Sequence, residues 1–288
     1  MSLLRLDRPT VVAVMGPTAS GKTQLAEALA ERFGAQLINA DAFQVYRGLD
    51  IGTAKPPARR DYRLLDLLDP DQEFGVGEWV PLAAREVAQA VNAGRSSVIV
   101  GGTGLYLRAL FEGWQEMAGK PDPELRAKVA EMSHQAALAE LDRLLPGAAI
   151  DRANPLRVRR ALERVLAPPR QVRFALPDVP KVKVAVVPPR ELTDERIRAR
   201  TLTMIEAGWP EEVARLRRWG VRREDPGMRA IGYRSLWNAS SGLCSWESAF
   251  EVVIQETRRY AKRQRTWIRS EPGLARVFAN VDEALTEA

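Results

Sequence analysis

Residues 16–23 read GPTASGKT, a spacing of glycines, lysine and hydroxyl that serves one chemistry above others, the holding of a di- or triphosphate. Between Gly16 and Gly21 the backbone of Pro17, Thr18, Ala19 and Ser20 is expected to curl around an anion. The positive end of a following helix adds to that field. Lys22 would reach the terminal phosphoryl oxygens, and the Thr23 hydroxyl would ligate a Mg²⁺ bridging them. A glycine-rich turn with no ligand is the alternative, and the flanks argue against it. Residues 10–15 (TVVAVM) read as a buried strand. After the loop, Leu25, Ala28, Leu29 and Phe33 recur at helical spacing up to Gly34, a stop signal. Strand, glycine loop and helix in that order mark a phosphate site.

Two further positions could act on what the loop holds. Asp41 closes a short apolar run, residues 36–40 (QLINA), and so belongs at the carboxyl edge of a sheet, where open α/β sheets bind ligands. A carboxylate there can ligate Mg²⁺ through water, take a proton from a nucleophile, or merely cap the next turn. Thr103 lies in GGTGLY, a second glycine-rich strand-to-helix turn, where its hydroxyl can bond a bridging or leaving oxygen or serve as an N-cap. Positive charge concentrates twice. Arg152, Arg157, Arg159, Arg160 and Arg164 lie on and beside one predicted helix. Arg258, Arg259, Lys262, Arg263, Arg265 and Arg269 lie on another, beside Tyr260 and Trp267. Each cluster alone reads as a solvated face; two of them near a phosphate site suit a polyanion, with the aromatic rings available for stacking on RNA bases.

The elements that must position these groups follow from periodicity. Up to about residue 114, strands and helices alternate. Strands are expected at 36–40, in the run RLLDLLDP and at 97–100 (SVIV), with a helix over residues 77–92. That alternation predicts a parallel sheet covered on both faces. Residues 115–177 carry three predicted helices and no convincing strand, closed by Pro168, Pro169 and Pro177. Sheet character returns at 181–187 (KVKVAVV), after which the chain reads as helical almost to its end. The middle block is therefore expected to be an insertion into an α/β core made of residues 1–114 and 178–288.

Composition narrows the class. The 288 residues are 45% hydrophobic, enough for a large domain with an elaboration; Lys and Arg number 43 against 37 Asp and Glu. One cysteine, Cys244, excludes a disulfide framework and a multi-cysteine zinc site, and the lone His134 sits in a polar helix. No apolar run approaches membrane-spanning length and no leader pattern opens the chain, so a cytoplasmic protein without a membrane anchor is expected.

GPTASGKT, NADAFQVYRGLDIGTAKP, VGGTGLYLRAL, NPLRVRRALE, MRAIGYR and AKRQRTW, in this order, resemble the tRNA dimethylallyltransferase family over residues 10–270. The resemblance implies a P-loop kinase-like α/β fold with an inserted all-helical domain, 115–177, that contacts tRNA. It implies transfer of a dimethylallyl group from dimethylallyl diphosphate to the exocyclic N6 amine of the adenosine 3′-adjacent to the anticodon, in tRNAs reading UNN codons. Pyrophosphate is released, Mg²⁺ assists, the loop binds a diphosphate in place of ATP, and the enzyme is expected to be a monomer.

Matching positions make Asp41 the general base, Thr103 the hydrogen-bond donor to the bridging oxygen, and Lys22, Thr23 and Arg229 the groups that stabilise the leaving pyrophosphate. Contacts with the tRNA anticodon stem-loop carry over to Asp41, Ala42, Phe43, Gln44, Thr103 and Arg126. They carry over also to Leu156, Arg157, Val158, Arg159 and Arg160, and to Met228, Arg229, Ala230, Ile231, Gly232, Tyr233 and Arg234. The chain departs from the family pattern at Ala42, where a serine is common, at Pro155, where an aspartate is common, and in a short stretch between Ala167 and Pro180. Two rivals share the loop. A small-molecule or nucleotide kinase would use Arg190, Arg196 and Arg200 as lid arginines. A switch NTPase that binds RNA would need an apolar run ending in a Mg²⁺-holding Asp, for which RLLDLLD is the weak candidate.

Overall fold

The computed structural model describes residues 8–114, 116–117, 123–167, 170–171 and 174–287; Pro168 and Pro169 lie outside them. By its internal contacts the chain forms two compact units, Met1–Glu112 with Ala175–Ala288, and Gly113–Phe174.

In the larger unit a fully parallel six-stranded sheet runs β3-β2-β4-β1-β7-β8. Its strands are β1 (Val11–Met15), β2 (Gln36–Asn39), β3 (Tyr62–Arg63), β4 (Ser97–Gly101), β7 (Lys181–Val186) and β8 (Leu274–Phe278), numbered with the insertion's β5 and β6 below. Every residue of β1 and β4 is buried, as continuous apolar runs must be when helices cover both faces of a parallel sheet. The register sets the site. Met15 stands opposite Gly101 of β4 on one side and Ala185 of β7 on the other, and Asn39 stands opposite Val100. The GPTASGKT loop, Asp41 and the GGTG turn therefore leave the sheet at one carboxyl edge.

The helices of this unit are α1 (Lys22–Phe33), α2 (Val76–Asn92), α3 (Gly104–Phe111), α7 (Arg190–Glu206), α8 (Trp209–Arg218), α9 (Tyr233–Ser240), α10 (Trp246–Arg269) and α11 (Val281–Glu287). α1 and α11 pack their apolar faces, Leu25, Leu29 and Ala284 among them, on the sheet. A second core joins α8, α9 and α10 to the loop after β2, through Trp209, Leu216, Tyr233, Leu236 and Val253.

The insertion holds α4 (Pro123–Glu131), α5 (His134–Leu144) and α6 (Pro155–Leu166) around Val129, Leu141, Val158 and Leu162. Asn154 caps α6, its side chain accepting from the Leu156 and Arg157 amides, with Pro155 at the first turn. Proline suits that place, since its missing N–H would have had no helical partner. The sequence reading missed a strand pair here: β5 (Glu116–Met117) and β6 (Arg170–Gln171) pair antiparallel, two residues each.

Two other expectations are corrected. RLLDLLDP is strand only at Arg63; Leu64 and Asp66 take left-handed φ of 64° and 53°, which no strand continues. Asn39 Nδ2 holds the Leu64 carbonyl at 3.0 Å, and Asp66 pairs with the buried Lys55 ammonium, which also bonds Asp50 at 2.8 Å. The C-terminal region is not helical throughout, because β8 adds a strand to β7.

Glu212 is the least expected part of this frame. Fully buried on α8, its carboxylate accepts from the backbone N–H of Asp50, Ile51 and Gly52 at 2.9, 2.8 and 3.4 Å and from the Tyr233 hydroxyl at 2.7 Å. One carboxylate thus fixes the loop after β2 and the start of α9. Truncating one partner of such a network leaves several buried donors unpaired, at a cost of about 3 kcal/mol or more. Glu212→Ala is expected to lower the thermal midpoint by roughly 6–12 °C. Glu212→Gln, which keeps one acceptor oxygen, should lose about half as much, as read by circular dichroism melting.

Candidate active site

The phosphate loop sits between β1 and α1. Gly21 takes φ 90° and Ala19 φ 60°, the left-handed turns that aim successive amides inward; for alanine this is strain held at a functional site. Lys22 Nζ donates to the Pro17 carbonyl at 3.3 Å, and the Thr18 amide donates to Gln264 Oε1 at 2.8 Å. Burial first, and then the neighbouring Arg200 charge, lower the Lys22 ammonium from 10.5 to about 8, against the opposing pull of Asp41. Burial likewise lowers Arg200, which Asp41 partly offsets. Two cations and one carboxylate thus share a desolvated space.

Asp41 caps the turn that follows it. Its amide accepts orientation from Asn39, donating to Oδ1 of that side chain at 3.0 Å, and its own Oδ1 caps the following turn, taking the Phe43 amide at 2.9 Å and that of Gln44 at 3.4 Å. Among the described residues no hydrogen bond reaches Oδ2. Asn39 is fixed in turn by the Trp79 indole, which donates to its carbonyl at 2.8 Å.

Thr103 precedes α3, and its Oγ1 accepts from the Ala42 amide at 3.3 Å, which places it beside Asp41. Tyr260 of α10 lines the same space; burial first, and then the Asp41 charge, raise its hydroxyl. Gln264 Nε2 donates to the Gly102 carbonyl at 3.0 Å, so α10 clasps both glycine turns. Glycine is required there. A Cβ on Gly102 would stand 2.1 Å from Gln264 Nε2, and one on Gly104 2.1 Å from the Trp267 ring.

Two joined cavities result. The phosphate end, about 70 Å³, is lined by Lys22, Thr23, Asp41, Gln44, Arg200 and Gln264 among others. The larger chamber, about 250 Å³, shares Thr18, Asp41, Arg200 and Tyr260 with it and is otherwise walled mainly by apolar groups, Phe43, Ile197, Met204, Trp209 and Ile231. Asp41, Arg200 and Tyr260 stand where the two meet.

Some sequence expectations are redistributed. Arg229 lines the larger chamber, not the phosphate end, and donates to both carboxylate oxygens of Glu73 at 3.2 and 3.5 Å; Arg200 lines both cavities. Ala230 and Ile231 join Arg229 on the chamber wall. Met228 and Tyr233 have no exposed surface and serve the core; Gly232 precedes α9 with its Cα against Trp209, and Arg234 donates to the Arg223 carbonyl at 3.2 Å. Gln44 spends its amide on the Thr53 and Ala54 carbonyls, at 3.0 and 3.2 Å.

In the insertion, Val158 is core, while Leu156 and Arg157 are exposed; Arg159 donates to the Met132 carbonyl at 2.8 Å, Arg160 pairs with Glu163 at 2.6 Å, and Arg126 lies half-buried on α4. Tyr260 and Trp267 do not offer free faces for stacking, since the first turns into the site and Arg108 covers the second at 4.1 Å. Gln264 escaped the sequence reading, and Arg200 entered it only as a kinase lid arginine. A period of three to four along α10, from Thr257 through Tyr260 to Gln264, was the available signal.

The site joins a phosphate loop to a mainly apolar chamber at the carboxyl edge of a parallel α/β sheet. Models of the IPP transferase family and of isopentenyl transferases match residues 44–271 and 9–61. A tRNA dimethylallyltransferase of Xanthomonas axonopodis pv. citri is 40% identical over 289 residues, covering 92% of this chain and 88% of the relative. One of Geobacter sulfurreducens is 38% identical over 301 residues, covering 98% and 96%. The crystal structure of the full-length tRNA isopentenylpyrophosphate transferase of Bacillus halodurans superposes with a TM-score of 0.71 at 32% identity, covering 97% of this chain and 94% of that one. The chain belongs to the IPP transferase family, the tRNA dimethylallyltransferases, and is an enzyme of the transferase class.

The Lys22 ammonium supplies a test of the phosphate end. An arriving diphosphate favours the charged lysine and so raises its depressed pKa, which means protons are taken up on binding near pH 8. Affinity for pyrophosphate should fall as pH rises past about 8. In calorimetry with buffers of differing ionisation enthalpy, wild type should take up a fraction of a proton more than Lys22→Ala at pH 8, and the difference should vanish near pH 6. Equal uptake by the two proteins would remove Lys22 from the phosphate site.

Proposed function

We propose that the chain transfers a dimethylallyl group from dimethylallyl diphosphate to the exocyclic N6 amine of the adenosine 3′-adjacent to the anticodon, in tRNAs reading UNN codons. The observation that carries this reading is the junction of a phosphate end and an apolar chamber at Asp41. A kinase needs no apolar chamber beyond its phosphates, and the relatives are named transferases of this group to tRNA.

In the reaction the loop amides, Lys22 and Arg200 hold the diphosphate. The C–O bond between dimethylallyl and diphosphate breaks as N6 of adenine bonds to the freed carbon. Asp41 Oδ2 accepts the proton that N6 gives up, and pyrophosphate carries off the bonding electron pair. Thr103 donates to the bridging oxygen on which charge develops. The adenine amine is a poor nucleophile, so most of the acceleration comes from positioning and from stabilising the leaving group in a low-dielectric space. The apolar walls keep water from the allylic carbon. The target base must leave its stack to enter, at a cost of a few kcal/mol that is least in an anticodon loop.

Mg²⁺ fits the residues present. It keeps most of its waters and takes one or two protein oxygens together with phosphates, and the Thr23 hydroxyl and Asp41 carboxylate share the phosphate end. Among the described residues no cluster of three or more His, Cys, Asp or Glu could hold a metal alone, consistent with an ion that arrives with the diphosphate. When bound it neutralises charge on the leaving group.

The partner is the tRNA anticodon stem-loop, met by Phe43 at the chamber and Ala42 beside it, by Arg229 and its neighbours, and by Arg126, Leu156 and Arg157 of the insertion. Residues 113–174 act as its RNA-contacting domain. The enzyme works as a monomer in the cytoplasm, and among the described residues no helix is long and apolar enough to cross a membrane.

Asp41→Ala is expected to slow single-turnover transfer about 10²–10⁴-fold while tRNA affinity stays within a few fold. A near-normal rate would leave Asp41 as the cap of the Phe43 turn and nothing more. Replacing Arg157 by Gln should instead weaken tRNA binding similarly for cognate and non-cognate stem-loops, since phosphate contacts position without specifying; an unchanged affinity would make that face a solvated one.

A further inference from the structure

Trp209 forms part of the larger chamber's wall, and the reaction gives it no role. It lines the chamber but not the phosphate end. It is the first residue of α8, set between Gly208 at φ 95° and Pro210, and it is 2% exposed. Its indole is wedged between two glycines. A Cβ on Gly52 would stand 2.1 Å from Nε1, and one on Gly232 would stand 2.3 Å from Cη2 at the other end of the ring. The Tyr233 ring meets it edge-on, with centroids 5.6 Å apart. Close packing on these sides leaves the indole no room to turn. Nε1 makes no hydrogen bond, although a buried indole N–H ordinarily finds an acceptor. Phenylalanine or leucine would fill this place without an unpaired donor, so what the indole adds is volume.

We propose that Trp209 is the stop that limits the prenyl donor to one five-carbon unit. The hydroxyls of the chamber indicate what stands against this wall. Thr53, Thr201 and Thr257 donate to the carbonyls of Leu49, Ile197 and Val253, each four residues back on its own segment. None of these hydroxyls keeps a proton for the ring nitrogens of a base. Met204 and Val253 line the same chamber and pack in one cluster with Trp209, so this part of the wall suits hydrocarbon. A diphosphate held at the loop extends its chain past Asp41 into the chamber, whose volume of about 250 Å³ the dimethylallyl group shares with the attacking adenine. A second isoprene unit brings five more carbons, and in an apolar pocket even one surplus methylene costs roughly 10–200-fold in kcat/KM. Trp209 meets the donor's tail and not the reacting atoms. This assignment rests on the prenyl-transfer reading and adds to it the residue that sets donor length.

The test is a competition between equal concentrations of dimethylallyl diphosphate and geranyl diphosphate for limiting unmodified tRNA. Nucleoside mass spectrometry reads the ratio of the two prenylated adenosines, and thermal melting confirms folding. Wild type is expected to favour the dimethylallyl product by about 100-fold or more. Trp209→Leu should narrow that preference by about tenfold or more, while KM for tRNA stays within a few fold. Adding Gly52→Ala, whose Cβ enters the place that Nε1 leaves, should restore most of the preference. Trp209→Phe keeps an aromatic ring in the core and should move the ratio the same way by about threefold; it decides the question if the leucine variant does not fold. A preference that neither variant changes, or a wild type that accepts geranyl diphosphate freely, would overturn the assignment. A raised KM for tRNA with an unchanged donor ratio would give the wall to the base and also overturn it. Failure of wild type to prenylate tRNA with either donor would instead strike at the function. Trp209 would then be judged by binding alone, where a variant that gains no affinity for geranyl diphosphate overturns its role.

Discussion

The arrangement on which the rest depends is the desolvation of Lys22 and Arg200 beside Asp41. Two cations held half-buried side by side are unfavourable unless an anion joins them, and desolvation lowers both. In the proposed reaction that state would make the site effective, because charges in a low-dielectric space act far more strongly on a developing leaving group than charges in water. The phosphate loop alone could not produce it. Arg200 arrives from α7, and Asp41 arrives from the end of β2, so the field exists only once the sheet and the helices over its carboxyl edge have assembled.

Helix α10 performs that assembly. Gln264 bonds the backbone of both glycine turns, and Tyr260 lines the site beside it. At its end, Glu271 is buried between Lys183 of β7, at 2.6 Å, and Arg108 of α3, at 3.0 Å, with the Trp267 indole at 3.2 Å. The helix is thereby pinned to the strand beside the phosphate loop and to the helix that Thr103 precedes. Such a paired and saturated carboxylate is a device for holding geometry more than a source of net stability. On the opposite side of the chamber Glu212 does the same for the loop after β2 and for α9. Two buried glutamates thus hold the elements around a chamber walled mainly by apolar groups.

What could be read from the sequence was what is local. The phosphate loop, Asp41 and the GGTG turn announce themselves because strand, turn and helix follow within a few residues. β1, β4 and β7 are legible because strands buried on both faces are continuous apolar runs. β8 was not, since three of its five residues are exposed at the sheet edge and LARVF carries little strand signal without β7 beside it. RLLDLLDP misled because its leucines are apolar for the loop they pack in, and Asp66 is drawn to Lys55. Gln264 and Arg200 become site residues only through contacts across more than a hundred residues of chain. Tyr260 and Trp267 looked like stacking platforms because aromatic residues among arginines suit RNA; on the helix they share the inward face with Gln264, and the arginines take the other. The IPP transferase signature supplied the reaction, and the geometry moved Arg229 away from the phosphate end and put Arg200 there.

The central claim is that Lys22 and Arg200 serve a prenyl diphosphate as leaving group. It is tested most directly by the stoichiometry of a single incubation of the wild-type enzyme with dimethylallyl diphosphate, Mg²⁺ and unmodified tRNA, in the presence of ATP. Nucleoside mass spectrometry would measure the modified adenosine, and a coupled assay would measure released pyrophosphate. The account predicts one pyrophosphate for each adenosine that gains a dimethylallyl group on N6, with ATP unconsumed. Consumption of ATP to ADP, or release of pyrophosphate without prenylated adenosine, would contradict it.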